Sequence, residues 1–169
     1  STTPLPNTDI RLVFSEAIQD VGRNRPLEEY YQDVINATTE TQAAAARETM
    51  ANVLRNSIKL YIDTGNGLPS LVPDAADLPE GTSKADGDWV IDYRYAEIKM
   101  EEGKTVITFP TKDTAAISGL NLRSGAEYYF EIEAGTLADT SATKNIMGKT
   151  TLDRFKTVFA IVNLSNPNI

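Results

Sequence analysis

The 169-residue chain contains no cysteine and no histidine. The first absence excludes disulfides, thiolate nucleophiles and cysteine-ligated metals. The second removes the imidazole used by most general bases, catalytic triads and zinc sites. No stretch approaches the roughly 20 apolar residues of a membrane-spanning helix. Positive charge is also scarce: 16 Lys and Arg stand against 24 Asp and Glu, a net charge of −8. That balance argues against nucleic acid and against anionic membrane surfaces, and the lack of a long apolar run argues against membrane insertion by a helix. What remains is carboxylate chemistry, oxygen-ligated metals such as calcium, or no chemistry at all.

The length allows one domain that buries a core without staples. Ser1 opens the chain with no Met and no charged-then-apolar leader, so the chain reads as a piece of a longer protein. The absence of cysteine is compatible with the cytosol and with bacterial surfaces.

Ile10, Leu12 and Phe14 alternate with polar or smaller residues, the pattern of a half-buried strand. From Pro26 the period changes. Leu27, Tyr30, Tyr31 and Val34 share one helical face. Thr39 and Gln42 have the spacing of a capping box, and Ala43, Ala46, Met50, Val53 and Leu54 form a second stripe. Residues 26–56 therefore read as a helical island, two short helices or one kinked one. Ile58, Leu60 and Ile62 return to period 2. Residues 68–88 hold three prolines and five acids and read as an acidic loop. Trp89, Ile91, Tyr93 and Tyr95 alternate as a strand, with a register break before Ala96, Ile98 and Met100. Glu101-Glu102-Gly103-Lys104 marks a hairpin turn. Thr105, Ile107 and Phe109, then Tyr128, Phe130 and Ile132, then Phe155, Thr157 and Phe159 complete the strands.

Six or seven short strands with one helical island predict a mainly β fold, an antiparallel sandwich with an α-helical insertion at about 26–56. Leu122 precedes Tyr128 by six residues across a Gly-containing turn, the look of a tyrosine corner. The sandwich domain is expected to span 1–160, with 161–169 as a linker or exit to a following domain.

The ends of this pattern resemble the bacterial Ig-like domains of S-layer and other cell-surface proteins. Ile10 to Ile18, with its Phe14-Ser15-Glu16, is similar to their opening strand. Leu120, Leu122, Gly125 and Tyr128 resemble their "leucine, glycine, tyrosine" approach to a strand. Glu131 to Asp139 resembles their "strand, Ala-Gly, aliphatic, x, Asp" segment, and Phe155-Lys156-Thr157 their closing strand. The turn after Asp139 keeps Asn145 but lacks the usual neighbouring Gly. The resemblance implies an Ig-like sandwich, an extracellular location on a bacterial surface, neighbouring domains of the same chain as partners, and a structural or adhesive role without catalysis.

Specific activity would need particular side chains. Asp86 and Asp88, with Asp74, Asp77 and Glu80, are the candidate calcium ligands of the acidic loop, although no EF-hand spacing occurs. Glu16 and Asp139 are two further acids that could meet at one end of the sandwich. Tyr61, Tyr129 and Trp89 are candidate stacking residues for a carbohydrate ligand, and the helical island is a candidate surface for a protein partner. Adjacent acids such as Glu28-Glu29 or Glu131 and Glu133 read as solvated faces rather than an acid/base pair. The expectation is thus a non-catalytic spacer module, with an accessory binding module as the alternative. Stacked, accessible tyrosines or a ligand-sized pocket would favour the alternative.

Overall fold

The computed structural model describes residues 9–63, 65, 67–79, 90–109, 120–121, 126–156 and 162–166. Three strands come first, β1 (Ile10–Phe14), β2 (Ile18–Asp20) and β3 (Arg25–Pro26). Two helices follow, α1 (Leu27–Asn36) and α2 (Glu40–Ser57). The remaining strands are β4 (Ile58–Asp63), β5 (Ser70–Leu71), β6 (Val90–Ile91), β7 (Glu97–Glu101), β8 (Lys104–Phe109), β9 (Leu120–Asn121), β10 (Glu127–Ile132), β11 (Leu137–Asp139), β12 (Thr150–Thr151), β13 (Phe155–Lys156) and β14 (Val162–Asn166). The fold is mainly β and sandwich-like, with the helices inserted between β3 and β4.

Two sheets carry the core. One has the order β14-β1-β8-β7. The other runs β12-β10-β4-β5, with β13 also pairing β10. Alternation decides which side chains point inward. Ile10, Leu12 and Phe14 of β1 and Ile98 and Ile107 of the β7–β8 hairpin are buried, as are Ile58, Leu60, Tyr128, Phe130 and Ile132 from the other sheet. Phe109 and Phe130 stack with centroids 5.4 Å apart and join the two sheets through their rings. Phe155 extends the stack against Phe130 and Tyr128. Each such side chain contributes roughly 1.5–3 kcal/mol of burial.

The helices close the open flank of this core. Leu27, Tyr30, Met50, Ala51 and Leu54 belong to the same buried cluster as the strands. The stripe expected on α2 is therefore rotated slightly: Met50, Ala51 and Leu54 are buried, whereas Ala43, Ala46 and Val53 are only partly covered. Thr39 is the N-cap of α2, and its hydroxyl accepts from the Gln42 amide at 3.1 Å. Gln42 reaches back to Thr38, accepting from its backbone N–H and its hydroxyl. The box thus closes one residue earlier than its usual form. Tyr30 and Tyr31 dock α1: their hydroxyls donate to Asp20 and to Glu97 of β7, each at 3.0 Å.

Three expectations need correction. The alternation from Trp89 to Tyr95 predicts one strand, but only Val90–Ile91 pair. Tyr93–Tyr95 form a 3-10 turn because Asp92 caps it, accepting from the Arg94 backbone N–H at 3.1 Å. Trp89 itself lies outside the described residues. Residues 161–169 were expected outside the sandwich, yet Val162–Asn166 form β14 beside β1. The stretch 68–79, expected as loop, contains β5 and a 3-10 turn at Ala75–Asp77. The hairpin turn is as expected: Glu102 at φ 52° and Gly103 at φ 76° give the doubly positive geometry of a type I′ turn, which suits the strand twist. For the tyrosine corner, residues 122–125 lie outside the described residues; Tyr128 is buried and stacked on Phe155.

Candidate functional site

Three places bear on function: the outer face of the β10–β4 pair, the acids of the 74–77 turn and the 139–145 loop, and a cleft beside α2.

Tyr61 and Tyr129 are directly paired across β4 and β10 and project from the outer face. Their rings stack at 5.2 Å with only 13° between planes. The Arg154 guanidinium lies 4.9 Å from the Tyr129 centroid and is ion-paired to Asp63 at 2.6 Å. Arg154 lies between β12 and β13, and its partner Asp63 ends β4. The Tyr129 ring is thus engaged by two of this protein's own side chains, Tyr61 and Arg154. The two tyrosines stand side by side as expected of a ligand platform, but half-buried and edge-on rather than as an open flat surface. Asp63 is held below the usual carboxylate range by the Gly65 N–H and by Arg154.

The acidic turn is also internally engaged. Asp74 caps the 3-10 turn by accepting from the Ala76 N–H at 2.9 Å. Its other oxygen receives the Arg55 guanidinium at 2.7 Å. A cation at Asp74 would compete with that arginine. Asp77 is exposed at the end of the same turn, while Glu80, Asp86 and Asp88 lie outside the described residues. Among the described residues, no three acidic groups converge where one ion could be held.

Asp139 ends β11 and is buried. Its Oδ1 accepts from the Ser141 N–H, the Ser141 hydroxyl and the Asn145 N–H, and its Oδ2 accepts from the Asn145 side-chain amide. The hydroxyl of Ser141 and the amide of Asn145 favour the ionised form and push its pKa down to about 2. All four contacts come from the chain, so this carboxylate is a loop cap. Glu16 is exposed and uses its backbone carbonyl to accept from Thr105 at 3.1 Å.

The cleft has a volume of about 480 Å³. Its walls are one face of α2, from Thr49 to Ser57, the β2–β3 turn at Asp20–Arg23, and the β10–β11 turn at Gly135–Thr136. A backbone bond from the Val21 N–H to the Thr136 carbonyl, 3.0 Å, fixes the two turns against each other. The Asp20 carboxylate turns inward, accepting from the Gly22 and Arg23 N–H groups and from the Tyr30 hydroxyl. Burial and Asp20 together push the Tyr30 pKa up to about 12.

No family model, curated protein or solved structure matches this chain. Sequence reasoning named Tyr61 and Tyr129 as stacking residues for a ligand and Asp139 as an acid that could meet Glu16; the structure pairs the tyrosines with each other and has Asp139 cap its own loop. Sequence reasoning missed the cleft, whose walls come from three distant segments. The only local signal was a Gly- and Asn-containing turn at 20–25 placed next to a helix.

Proposed function

We propose that the chain is a non-catalytic structural module of a bacterial cell-surface protein, an Ig-like sandwich that bears load between neighbouring domains of an S-layer-like or adhesin-like chain. The observation that carries this reading is the pairing of β1 with β14. The two strands are parallel, with Ile10 opposite Val162 and Phe14 opposite Asn166. The polypeptide therefore enters β1 at one end of the sheet and leaves β14 at the other. Tension applied through the two flanks slides these strands past each other. Their hydrogen bonds are loaded together in shear rather than opened one after another.

Other features support the same reading. The Ig-like resemblance of the 10–18 and 120–157 segments fits a sandwich with two helices added. The acidic surface suits a solvated extracellular bead. The tyrosine pair and the Asp139 carboxylate are spent on internal contacts. Among the described residues no helix is long and apolar enough to cross a membrane.

The test is single-molecule pulling from the two chain ends. A force peak several-fold higher for the intact chain than for a chain shortened to residues 1–161 is expected. Equal peaks for the two would overturn the load-bearing role.

A further inference from the structure

Arg23 differs from the other described arginines. Arg11, Arg25, Arg55, Arg94 and Arg154 each pair with a carboxylate, and Arg47 donates to the Arg94 carbonyl. Among the described residues the Arg23 guanidinium has no acceptor, and Arg23 is an exposed residue of the lining of the cleft beside α2.

The groups around it have a consistent polarity. Asn52 and Asn56 lie one turn apart on α2 and both line the cleft. Asn52 uses its side-chain oxygen to accept from Arg55, which leaves its NH2 to donate outward. Among the described residues no partner takes the Asn56 amide. The hydroxyls of Thr49, Ser57 and Thr136 donate to the carbonyls of Ala45, Val53 and Glu133, so their lone pairs alone remain. The only carboxylate in the lining, Asp20, is occupied by two backbone N–H groups and the Tyr30 hydroxyl. The open groups are thus one guanidinium, two amides and hydroxyl lone pairs. The cleft also lies in the 300–1,000 Å³ range of small-molecule sites.

We infer that this cleft binds a small hydroxylated carboxylate, an acidic sugar by chemical class, with the carboxylate on Arg23 and hydroxyls on Asn52 and Asn56. An arginine fork matches a carboxylate in shape and charge, and side-chain amides can both donate to and accept from hydroxyls. Val21, Val53 and the carbon atoms of the other lining residues give the cleft an apolar share that the ring carbons of such a ligand can cover. The inference goes beyond the load-bearing role and does not depend on it.

The test is a titration of the isotopically labelled full chain, followed by amide NMR, with sodium D-glucuronate as probe. D-glucose and sodium chloride at matched concentration are the controls. Saturable shifts of the Asn52 and Asn56 side-chain amides and of the Gly135 and Thr136 backbone amides are expected with glucuronate, and not with either control. Arg23→Ala should weaken binding at least about tenfold, the loss of one charge-assisted contact. Asn56→Asp provides a second variant, because a new carboxylate in the cleft should repel the probe equally well. No saturable shift, shifts outside the cleft, an equal response to glucose, or folded variants that bind as tightly as the parent would each overturn the inference.

Discussion

At the residue scale, this protein spends its acids on its own backbone and arginines. Asp139, Asp20, Asp74 and Asp92 each accept from main-chain N–H groups in a turn, and Asp74 and Asp92 also hold an arginine. Asp74 and Asp139, two of the acids weighed as calcium ligands, build turns here, while Glu80, Asp86 and Asp88 lie outside the described residues. Asp139 gives this a measurable form. Its folded pKa is about 2, below the value of 3.8 for a free side chain. A depressed carboxylate stabilises the fold fully above the unfolded pKa. That contribution is lost as pH falls from about 4 through about 2. Asp139→Asn, which keeps size but not charge, should lower the melting temperature at pH 7 and flatten its decline between pH 4 and pH 2. Thermal melts of both proteins at half-unit pH steps check this. Parallel acid limbs for the two would show that Asp139 does not titrate as described.

At the element scale, legibility in the sequence followed periodicity. The helices α1 and α2 were readable because Leu27, Tyr30, Val34 and then Met50 and Leu54 repeat at helical spacing, and because Thr39 and Gln42 announce a start. Strands β1, β4, β8 and β10 were readable from alternation. The segment from Val90 to Tyr95 was misread because Ile91, Tyr93 and Tyr95 keep the same alternation through a 3-10 turn. The signal against a strand was Asp92, a side chain that competes with ladder pairing by capping its own turn. Strand β14 was missed because Asn163, Ser165 and Asn166 look like linker. Its place depends on a parallel partner some 150 residues away, which no local pattern reveals. The capping box supplies the prediction here. Thr39→Ala removes the acceptor for the Gln42 N–H and should cost about 1 kcal/mol. Thr39→Ser should cost little. Urea unfolding followed at 222 nm measures both, and an unchanged midpoint for Thr39→Ala would deny the cap its role.

At the scale of the whole molecule, the question is whether the helices are an attachment or part of the structural unit. Leu27, Tyr30, Met50, Ala51 and Leu54 sit in one buried cluster with Phe14, Phe109, Phe130 and Ile132. Glu97 of β7 takes the Tyr31 hydroxyl, and Arg47 of α2 donates to the Arg94 carbonyl. Buried residues of both helices thus face the same cluster as the strands. An isolated helix of 10 residues is marginal in water, and most helical stability in proteins comes from tertiary packing. Helix and sandwich should therefore unfold together. Thermal melts monitored by helical ellipticity at 222 nm and by tyrosine ellipticity near 275 nm should give coincident midpoints. Phe130→Ala, which empties the centre of the Phe109–Phe130–Phe155 stack, should move both by the same amount, with a loss of about 3–5 kcal/mol. An early loss of the 222 nm signal, or a Phe130→Ala effect confined to the tyrosine signal, would separate the insertion from the sandwich. Coincidence would make the cleft beside α2 a feature of one cooperative unit of helices and sandwich.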